Sequence, residues 1–132
     1  MAQSELQRLV EVMDRLRSPG GCSWDAEQTH ESLIKYLLEE SYEFIDAIET
    51  DDRAGMREEL GDVLLQVYFH SRIAQDHPTD PFSIEDVARA IADKLISRHP
   101  HVFDNLAVSG TEEIIENWEA IKAREKGRTS AI

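Results

Sequence analysis

Apolar residues recur at steps of three and four along most of this chain, which is the period of a helix with one apolar face. The first such stretch follows Ser4, a residue type that caps helices, and the run 18–21 (SPGG) ends it. A second helix is predicted to begin at Asp25 or Thr29, because leucines and isoleucines then follow at helical spacing until the break at 51–55. The N-terminal part of the chain is therefore expected to form two helices.

The third predicted helix, from about Met56 to Ala74, carries apolar residues on two nearly opposite sides. Leu60 and Val67 belong to one side, and Phe69 belongs to the other. Since both apolar sides need cover from water, this helix is expected to be buried on two sides. Four short neighbouring helices supply too little cover for it, which predicts a dimer or a higher homo-oligomer.

Two further helices are predicted in the C-terminal part. One follows Ser83, and a loop over 98–110 separates it from the last helix, which is expected to run from Thr111 to a stop at Gly127. The residues 127–132 are then expected to be a frayed tail. Because the chain lacks the alternating pattern of strands, the predicted fold class is all-α, a helical bundle of about five helices.

Length and composition fit one domain over residues 1–132, since a hydrophobic content of 41% is enough for a core. The sequence has no apolar run of membrane length and no signal-peptide pattern, which predicts a cytoplasmic protein without membrane contact. Cys22 is the single cysteine, so an internal disulfide is excluded.

The charge balance narrows the range of partners. The 14 basic and 27 acidic residues give a formal net charge of −13, which repels nucleic acids and anionic membranes. The same charge opposes a free nucleotide. A ligand with phosphate groups would therefore need a divalent cation to bind an acidic site.

Acidic residues cluster on the second predicted helix at Glu39, Glu40 and Glu43. Their spacing places the three side chains on an arc of roughly 100°. They can converge on one cation, although a solvated acidic face is the alternative for this triplet when it is considered alone.

The third helix gives stronger evidence for a metal site. Glu59, Asp62, Gln66 and His70 follow one another at helical steps and form a polar seam between the two apolar sides. Carboxylates in such a seam are costly to desolvate unless they are paired or bind a metal. Oxygen ligands favour Mg²⁺ or Mn²⁺, and the seam also suggests His70 as a hydrogen-bond partner of Asp62.

A di-iron carboxylate bundle is the alternative metal site. It needs a Glu-x-x-His pair on each of two helices. This chain has that spacing only once, at Glu27 and His30. The sequence therefore favours Mg²⁺.

These residues resemble the motifs of the MazG family of nucleoside triphosphate pyrophosphohydrolases, E-E-x-x-E followed by E-x-x-D. The first motif is EESYE at 39–43 and the second is ELGD at 59–62. Three further segments are similar to the family: GGCSWDAEQTHESL, DKLISRHPHVF and NWEAIKAREK. Many members carry two such domains in tandem, whereas this chain holds one.

The resemblance implies an all-α fold, hydrolysis of an NTP or dNTP to the monophosphate and pyrophosphate, and nucleotide-pool cleaning as a physiological role. It also implies a homodimer or higher oligomer. Mg²⁺, for which Mn²⁺ can substitute, is expected to bind Glu39, Glu40, Glu43, Glu59 and Asp62. Glu39 or Glu40 would orient or deprotonate the attacking water, and the sequence does not choose between them.

Six residues are candidates for contact with the nucleotide. Lys94 and Arg98 lie one helical turn apart, as do Trp118 and Lys122, so cations and an aromatic ring could meet phosphates and a base. Trp24 and Gln28 could line a nucleotide pocket. Solvated lysines and tryptophans that pack in the core are the structural alternative.

Two other functions stay open. One is a narrower pyrophosphohydrolase for dUTP or phosphoribosyl-ATP, because the metal motif recognises phosphates and says little about the base. The other is a non-catalytic helical domain whose acidic face binds a basic protein.

Overall fold

A computed structural model describes residues 2–104 and 110–130, with side chains described as far as residue 126. These residues form helices and no strand, which confirms the all-α prediction. No described helix combines the length and apolar character that a bilayer crossing requires. In chain order the helices are α1 (Glu5–Arg17), α2 (Ser23–Glu27), α3 (Ile34–Glu49), α4 (Arg53–Ala74), α5 (Ile84–Arg98), α6 (Pro100–Phe103) and α7 (Thr111–Ser130).

The chain divides into two compact units, Met1–Ile84 and Glu85–Ile132. The first contains α1 to α4, and the second contains α6, α7 and nearly all of α5. The expectation of a single domain over residues 1–132 stays a prediction.

The start of α1 is as predicted, because the Ser4 hydroxyl accepts a hydrogen bond from the backbone N–H of Gln7 at 3.1 Å. This bond satisfies one of the unpaired donors at the helix N-terminus. The helix ends at Arg17, just before the SPGG run. Gly20 has a φ of +85°, a left-handed conformation that glycine adopts without strain.

The second predicted helix was wrong in extent, because it is divided into α2 and α3. The Arg17 guanidinium donates Nη1 hydrogen bonds to the carbonyls of Asp25 at 2.6 Å and Gln28 at 3.1 Å. These carbonyls are thereby satisfied by a side chain from α1. The hydroxyls of Thr29 and Ser32 then accept hydrogen bonds from each other's backbone N–H groups, which closes a turn before α3 begins.

The core of the first unit forms where α1, α3 and α4 meet. Met13, Leu33 and Phe69 are almost completely buried there. Leu16, Tyr36, Leu65 and Ile73 pack around them.

α3 and α4 form a helical hairpin and make the most extensive helix contact among the described residues. Asp51 in the connecting turn has a φ of 53°, and the Asp52 carboxylate accepts a hydrogen bond from the N–H of Gly55 at 3.0 Å. This cap starts α4 at Arg53, three residues before the predicted Met56. The hairpin carries the motif of α3 back alongside the motif of α4.

The prediction that α4 is buried on both of its apolar sides is wrong for a single copy of the chain. Phe69 is only 2% exposed, whereas Leu60 is 48% exposed and Val67 is 39% exposed. One apolar side of α4 therefore packs on the core and the other faces outward.

Two predictions in the second unit need correction. The expected loop over 98–110 contains the short helix α6, which Pro100 begins at a position where its missing N–H costs nothing. α7 continues past the predicted stop at Gly127 to Ser130, because an internal glycine weakens a helix by only about 1 kcal/mol. The rest of the predicted tail, 131–132, lies outside the described residues.

Candidate active site

Four carboxylates converge between α3 and α4. Glu40 and Glu43 come from α3, Glu59 and Asp62 come from α4, and one oxygen of each lies within 4.8 Å of the others. Glu43 is exposed and the other three are half-buried. The two motifs that are separate in sequence therefore form one cluster of acids.

The cluster changes how easily its members ionise. Burial, together with the neighbouring carboxyl groups of Glu43 and Asp62, raises the pKa of Glu59 to about 7. Burial also raises the pKa of Glu40, with the charges of Asp62 and Glu43 as the next causes. Both shifts have the direction expected when acids share a site without a cation.

The cluster fits a small divalent cation. Opposite ligands of Mg²⁺ lie about 4.2 Å apart in an octahedral shell, so oxygens within 4.8 Å of one another are close to a coordinating arrangement. The Oε2 atoms of Glu40 and Glu59 are buried and have no hydrogen-bond partner among the described residues. Buried acceptors without donors are costly, and a cation would satisfy both.

The polar seam of α4 is confirmed, although one expected contact within it is wrong. Gln66 is buried with 5% exposure, and Glu59, Asp62 and His70 are half-buried. The partner of His70 is His30 rather than Asp62, since the two Nδ1 atoms lie 2.8 Å apart.

Glu39 is not one of the four converging residues. It is exposed on α3, one residue before Glu40.

A cavity of about 360 Å³ borders the cluster and is lined in part by Glu43 and Glu59. This cavity gives the cluster access to solvent.

Trp24 and Gln28 line one cavity of about 630 Å³, together with residues of the turn before α3 and the start of α3. The Trp24 ring is 48% exposed and packs edge-on against Tyr36 and Phe69, at centroid distances of 5.9 Å and 6.4 Å. The Gln28 amide donates a hydrogen bond to the carbonyl of Trp24 at 2.9 Å. The ring is thus held on one side and open on the other.

In the second unit, Arg98 already has an acidic partner. Its Nη2 and Nε donate hydrogen bonds to Oε2 of Glu125 at 2.8 Å and 3.3 Å, and its side chain is 11% exposed. Its Cζ lies 5.9 Å from the centroid of the Trp118 ring. His99 contacts the same ring edge-on at 4.9 Å, so Trp118 packs among cations and imidazole.

Sequence reasoning missed Glu125. Its pKa is lowered chiefly by the hydrogen bond from Arg98, and the charge of Lys94 adds to the shift. Its spacing from Trp118 and the half-buried Lys122, seven and three residues, is that of one helix face, which could have identified it.

A protein-family model described as the MazG nucleotide pyrophosphohydrolase domain matches residues 28–103, more than half of the chain. This chain belongs to the MazG family. The matched range contains all four acids of the cluster.

The chain is also similar to relatives that are named nucleoside triphosphate pyrophosphohydrolases. The nucleoside triphosphate pyrophosphohydrolase/pyrophosphatase MazG of Thermotoga maritima is 54% identical over 123 residues, which cover 92% of this chain and 46% of the relative. The nucleoside triphosphate pyrophosphohydrolase of Escherichia coli K12 is 43% identical over 126 residues, which cover 95% and 47%. The chain therefore spans about half the length of the curated relatives it matches.

A solved structure supports the fold. The crystal structure of a mazG-related protein from Thermotoga maritima matches with a TM-score of 0.71 and 27% identity. The match covers 89% of this chain and 98% of the other. The helical architecture of this MazG chain thus has a counterpart in an experimental structure.

Proposed function

We propose that this chain hydrolyses nucleoside triphosphates or their deoxy forms to the monophosphate and pyrophosphate in an Mg²⁺-dependent reaction. The observation that carries the proposal is the cluster of Glu40, Glu43, Glu59 and Asp62, with its buried oxygens that have no partner. Relatives named nucleoside triphosphate pyrophosphohydrolase support it. Removal of abnormal or surplus nucleotides is a physiological role that this reaction would serve.

The four clustered carboxylates would hold Mg²⁺ or Mn²⁺, and Glu39 is the adjacent acid that could complete the set. When bound, the ions would neutralise phosphate charge and lower the pKa of a water molecule. Either Glu39 or Glu40 would orient that water or accept its proton. Glu39 is exposed, whereas Glu40 is half-buried and burial raises its pKa.

We assign phosphate binding to Lys94, Arg98 and Lys122, since cationic donors match phosphate oxygens. Arg98 would have to exchange its Glu125 partner for phosphate. Trp24 and Trp118 offer aromatic faces for a base, and Gln28 offers an amide beside Trp24. The base is not specified by these groups, so a narrower substrate such as dUTP or phosphoribosyl-ATP belongs to the same proposal.

The test is a panel of NTPs, dNTPs and modified nucleotides with pyrophosphate detection. Glu40→Gln and Asp62→Asn should each abolish most turnover with the fold intact, because each removes a ligand charge at nearly constant volume. Cys22→Ser is the control and should retain turnover, since the proposed reaction uses no covalent thiol.

The proposal fails if wild type hydrolyses no member of the panel, or if Glu40→Gln turns over like wild type. Inactivity together with tight binding of a basic protein would favour the non-catalytic alternative. Glu39→Gln separates the roles of the two candidate bases. Loss of turnover with unchanged metal binding would identify Glu39 as the base.

We also propose that the chain forms a homodimer or higher oligomer. The outward side of α3 presents a row of exposed apolar side chains at helical spacing, and Leu60 and Val67 on α4 are also exposed. The α3 row consists of Ile34, Leu38, Tyr42, Ile45 and Ile48. A second copy would cover this row with the same row, as in a two-fold interface.

A further inference from the structure

Two histidines outside the carboxylate cluster make an unusual contact. His30 lies in the turn between α2 and α3, and His70 lies on α4, 40 residues later. Their Nδ1 atoms are 2.8 Å apart, their ring centroids are 5.1 Å apart and their ring planes differ by 3°. None of the residues in the proposed reaction takes part in this contact.

These values describe two coplanar rings that meet head to head. The 2.8 Å between the nitrogens, together with the distance from each ring centre to its own nitrogen, accounts for the whole 5.1 Å between centroids. The nitrogens therefore lie on the line between the ring centres. Such geometry is that of an N–H···N hydrogen bond, in which one Nδ1 carries a proton and the other carries none.

The distance of 2.8 Å between the two Nδ1 atoms leaves room for a shared proton but is too short for a metal ion between them. A metal with bonds of about 2.0 Å to each imidazole would need about 4 Å between nitrogens in line. The contact is thus a link between two neutral rings or between one charged and one neutral ring. A pair of imidazolium rings cannot keep it, because two N–H groups would then face each other.

Burial indicates which ring donates. Nε2 of His70 is buried and has no partner in the part of the chain that the structure describes, whereas His30 is exposed. If His70 held its proton on Nε2, a buried N–H would be left unpaired, which proteins avoid more strictly than an unpaired acceptor. His70 therefore donates through Nδ1, and His30 accepts while its own Nε2–H faces water.

We propose that the hydrogen bond between the neutral rings of His30 and His70 forms a clasp, which holds the turn 28–33 against α4. The clasp positions the wall of the Trp24 cavity, and it opens when the pair takes up a proton. The turn supplies Gln28, Glu31 and Ser32 to that cavity. His30 and His70 are positioning residues, since their effect on a ligand passes through the turn. The positioning role rests on the proposed function, whereas the clasp itself does not.

Proton uptake opens the clasp because neither of the two nitrogens that lack a proton takes one up without cost. A proton on Nε2 of His70 would create a buried cation, and a proton on Nδ1 of His30 would remove the acceptor. Burial lowers the pKa of His70, and the charge of His30 lowers it further. The contribution of the neutral clasp to stability is therefore complete above the ordinary histidine pKa of about 6.5 and is lost as the pH falls through the lowered value.

Other ionisable groups occupy the elements packed around this contact. They include Arg17 from α1, Asp25, Glu27 and Glu31 from the α2 region and turn, and Tyr36 and Glu40 from α3. Among the described residues, the charge of His30 is the one that lowers the pKa of His70.

Arg17 limits how far the turn can open. It binds the carbonyls of Asp25 and Gln28 with a guanidinium that stays charged across this pH range. The N-terminal end of the turn is therefore held across this pH range, while the His30 end is released when the pair takes up a proton. Opening is expected to be local.

The first experiment is ¹⁵N NMR of the imidazoles in the full chain between pH 5.5 and 8. The proposal expects the Nδ1–H tautomer for His70 and the Nε2–H tautomer for His30 at pH 8, with both rings changing together as the pH falls. His77 serves as an internal reference in the same spectra. Independent titration of the two rings, or the Nε2–H tautomer for His70, would overturn the proposal.

The second experiment measures amide hydrogen-exchange protection factors in the turn. His30→Ala should lower protection at residues 28–33 about fivefold at pH 8, the effect of losing one hydrogen bond, and should remove the difference between pH 8 and pH 5.5. His70→Asn should keep protection at both pH values. Its amide can donate N–H to neutral His30 and can accept from protonated His30 through its oxygen.

Equal protection in wild type and His30→Ala at pH 8 would overturn the clasp, and so would loss of protection in His70→Asn. If wild type also turns over a nucleotide, His30→Ala should raise KM about fivefold at pH 8 and leave kcat unchanged. An unchanged KM would overturn the positioning role. An inactive wild type that shows the expected NMR and exchange results would refute the proposed function and support the clasp.

Discussion

The environment of a single carboxylate decides its chemistry in this chain. Glu59 lies among other acids, and burial with its neighbours raises its pKa to about 7. Glu125 accepts hydrogen bonds from Arg98 and Ser97, and its pKa is lowered. A glutamate in the first unit, Glu59, therefore lies where a bound cation would stabilise its charged form. A glutamate in the second unit, Glu125, already has the Arg98 guanidinium as its partner.

Removal of one acid from the cluster should stabilise the metal-free protein. The folded chain holds a proton on Glu59 between its ordinary pKa of 4.5 and about 7, where the unfolded chain does not. Metal-free wild type should thus lose stability as the pH rises across this range. Glu43→Gln should lose less, so its melting temperature in EDTA should exceed that of wild type more at pH 8 than at pH 6.

Metal should reverse the order of the two proteins. Mg²⁺ at 100 times its dissociation constant would add about 2.7 kcal/mol to wild type at pH 8, and Glu43→Gln should gain less. Glu58→Gln is the control, because it removes an exposed acid of α4 outside the cluster. Equal metal-induced shifts in all three proteins would mean that the ion merely screens surface charge.

Arg98 and Glu125 allow a test of phosphate binding. Arg98→Gln should raise KM by about tenfold or more if its guanidinium binds phosphate, since hydrogen bonds to charged groups are strong. Glu125→Gln should not raise KM, because it leaves the guanidinium intact. If both variants raise KM equally, Arg98 acts by holding α7 through Glu125, and the assignment is wrong.

At the scale of elements, the capping bond of α4 fixes where the second motif begins. Asp52→Ala should lower the free energy of unfolding by about 1 kcal/mol, because the N–H of Gly55 loses its acceptor. Asp52→Asn should lose much less, as asparagine also caps helices. Urea denaturation measures both, and equal losses would assign the effect to charge instead of the cap.

Elements were predictable from the sequence where their causes are local. The cap at Ser4 and the polar seam of α4 depend on residues within a few turns, and both are confirmed. The division of α2 from α3 depends on Arg17, which lies on another helix. The His30 contact likewise joins residues that no local spacing relates, which is why Asp62 was the wrong partner for His70.

The candidate site was likewise predictable only where its residues lie close together in the sequence. Spacing within each helix identified Glu40 and Glu43, then Glu59 and Asp62, as members of two motifs. The resemblance implied that these acids bind Mg²⁺, but their convergence to within 4.8 Å depends on the hairpin of α3 and α4, which the pattern did not show. Glu125 was missed because its pairing with Arg98 crosses from one helix to another.

At the scale of the whole molecule, the exposed row on α3 leads to a prediction about assembly. Light scattering at micromolar concentration should give at least a dimer mass. Ile45→Lys should shift the mass toward a monomer, because it places a charge in a row that a second copy would cover. Leu6→Lys, which changes a more exposed apolar residue of α1, should not.

A monomer mass for wild type, or an unchanged mass for Ile45→Lys, would contradict the proposed interface. Loss of the dimer in Leu6→Lys alone would place the interface on α1.

The four clustered acids all come from one stretch of chain, Glu40 to Asp62, on two successive helices. Contacts so close in sequence have a low contact order, and little loop entropy is lost when they form. If the hairpin binds a divalent ion as proposed, the ion can join it before the rest of the chain has folded. Mg²⁺ should then accelerate refolding in stopped-flow experiments and leave the unfolding rate nearly unchanged, which is how interactions already present in the folding transition state behave.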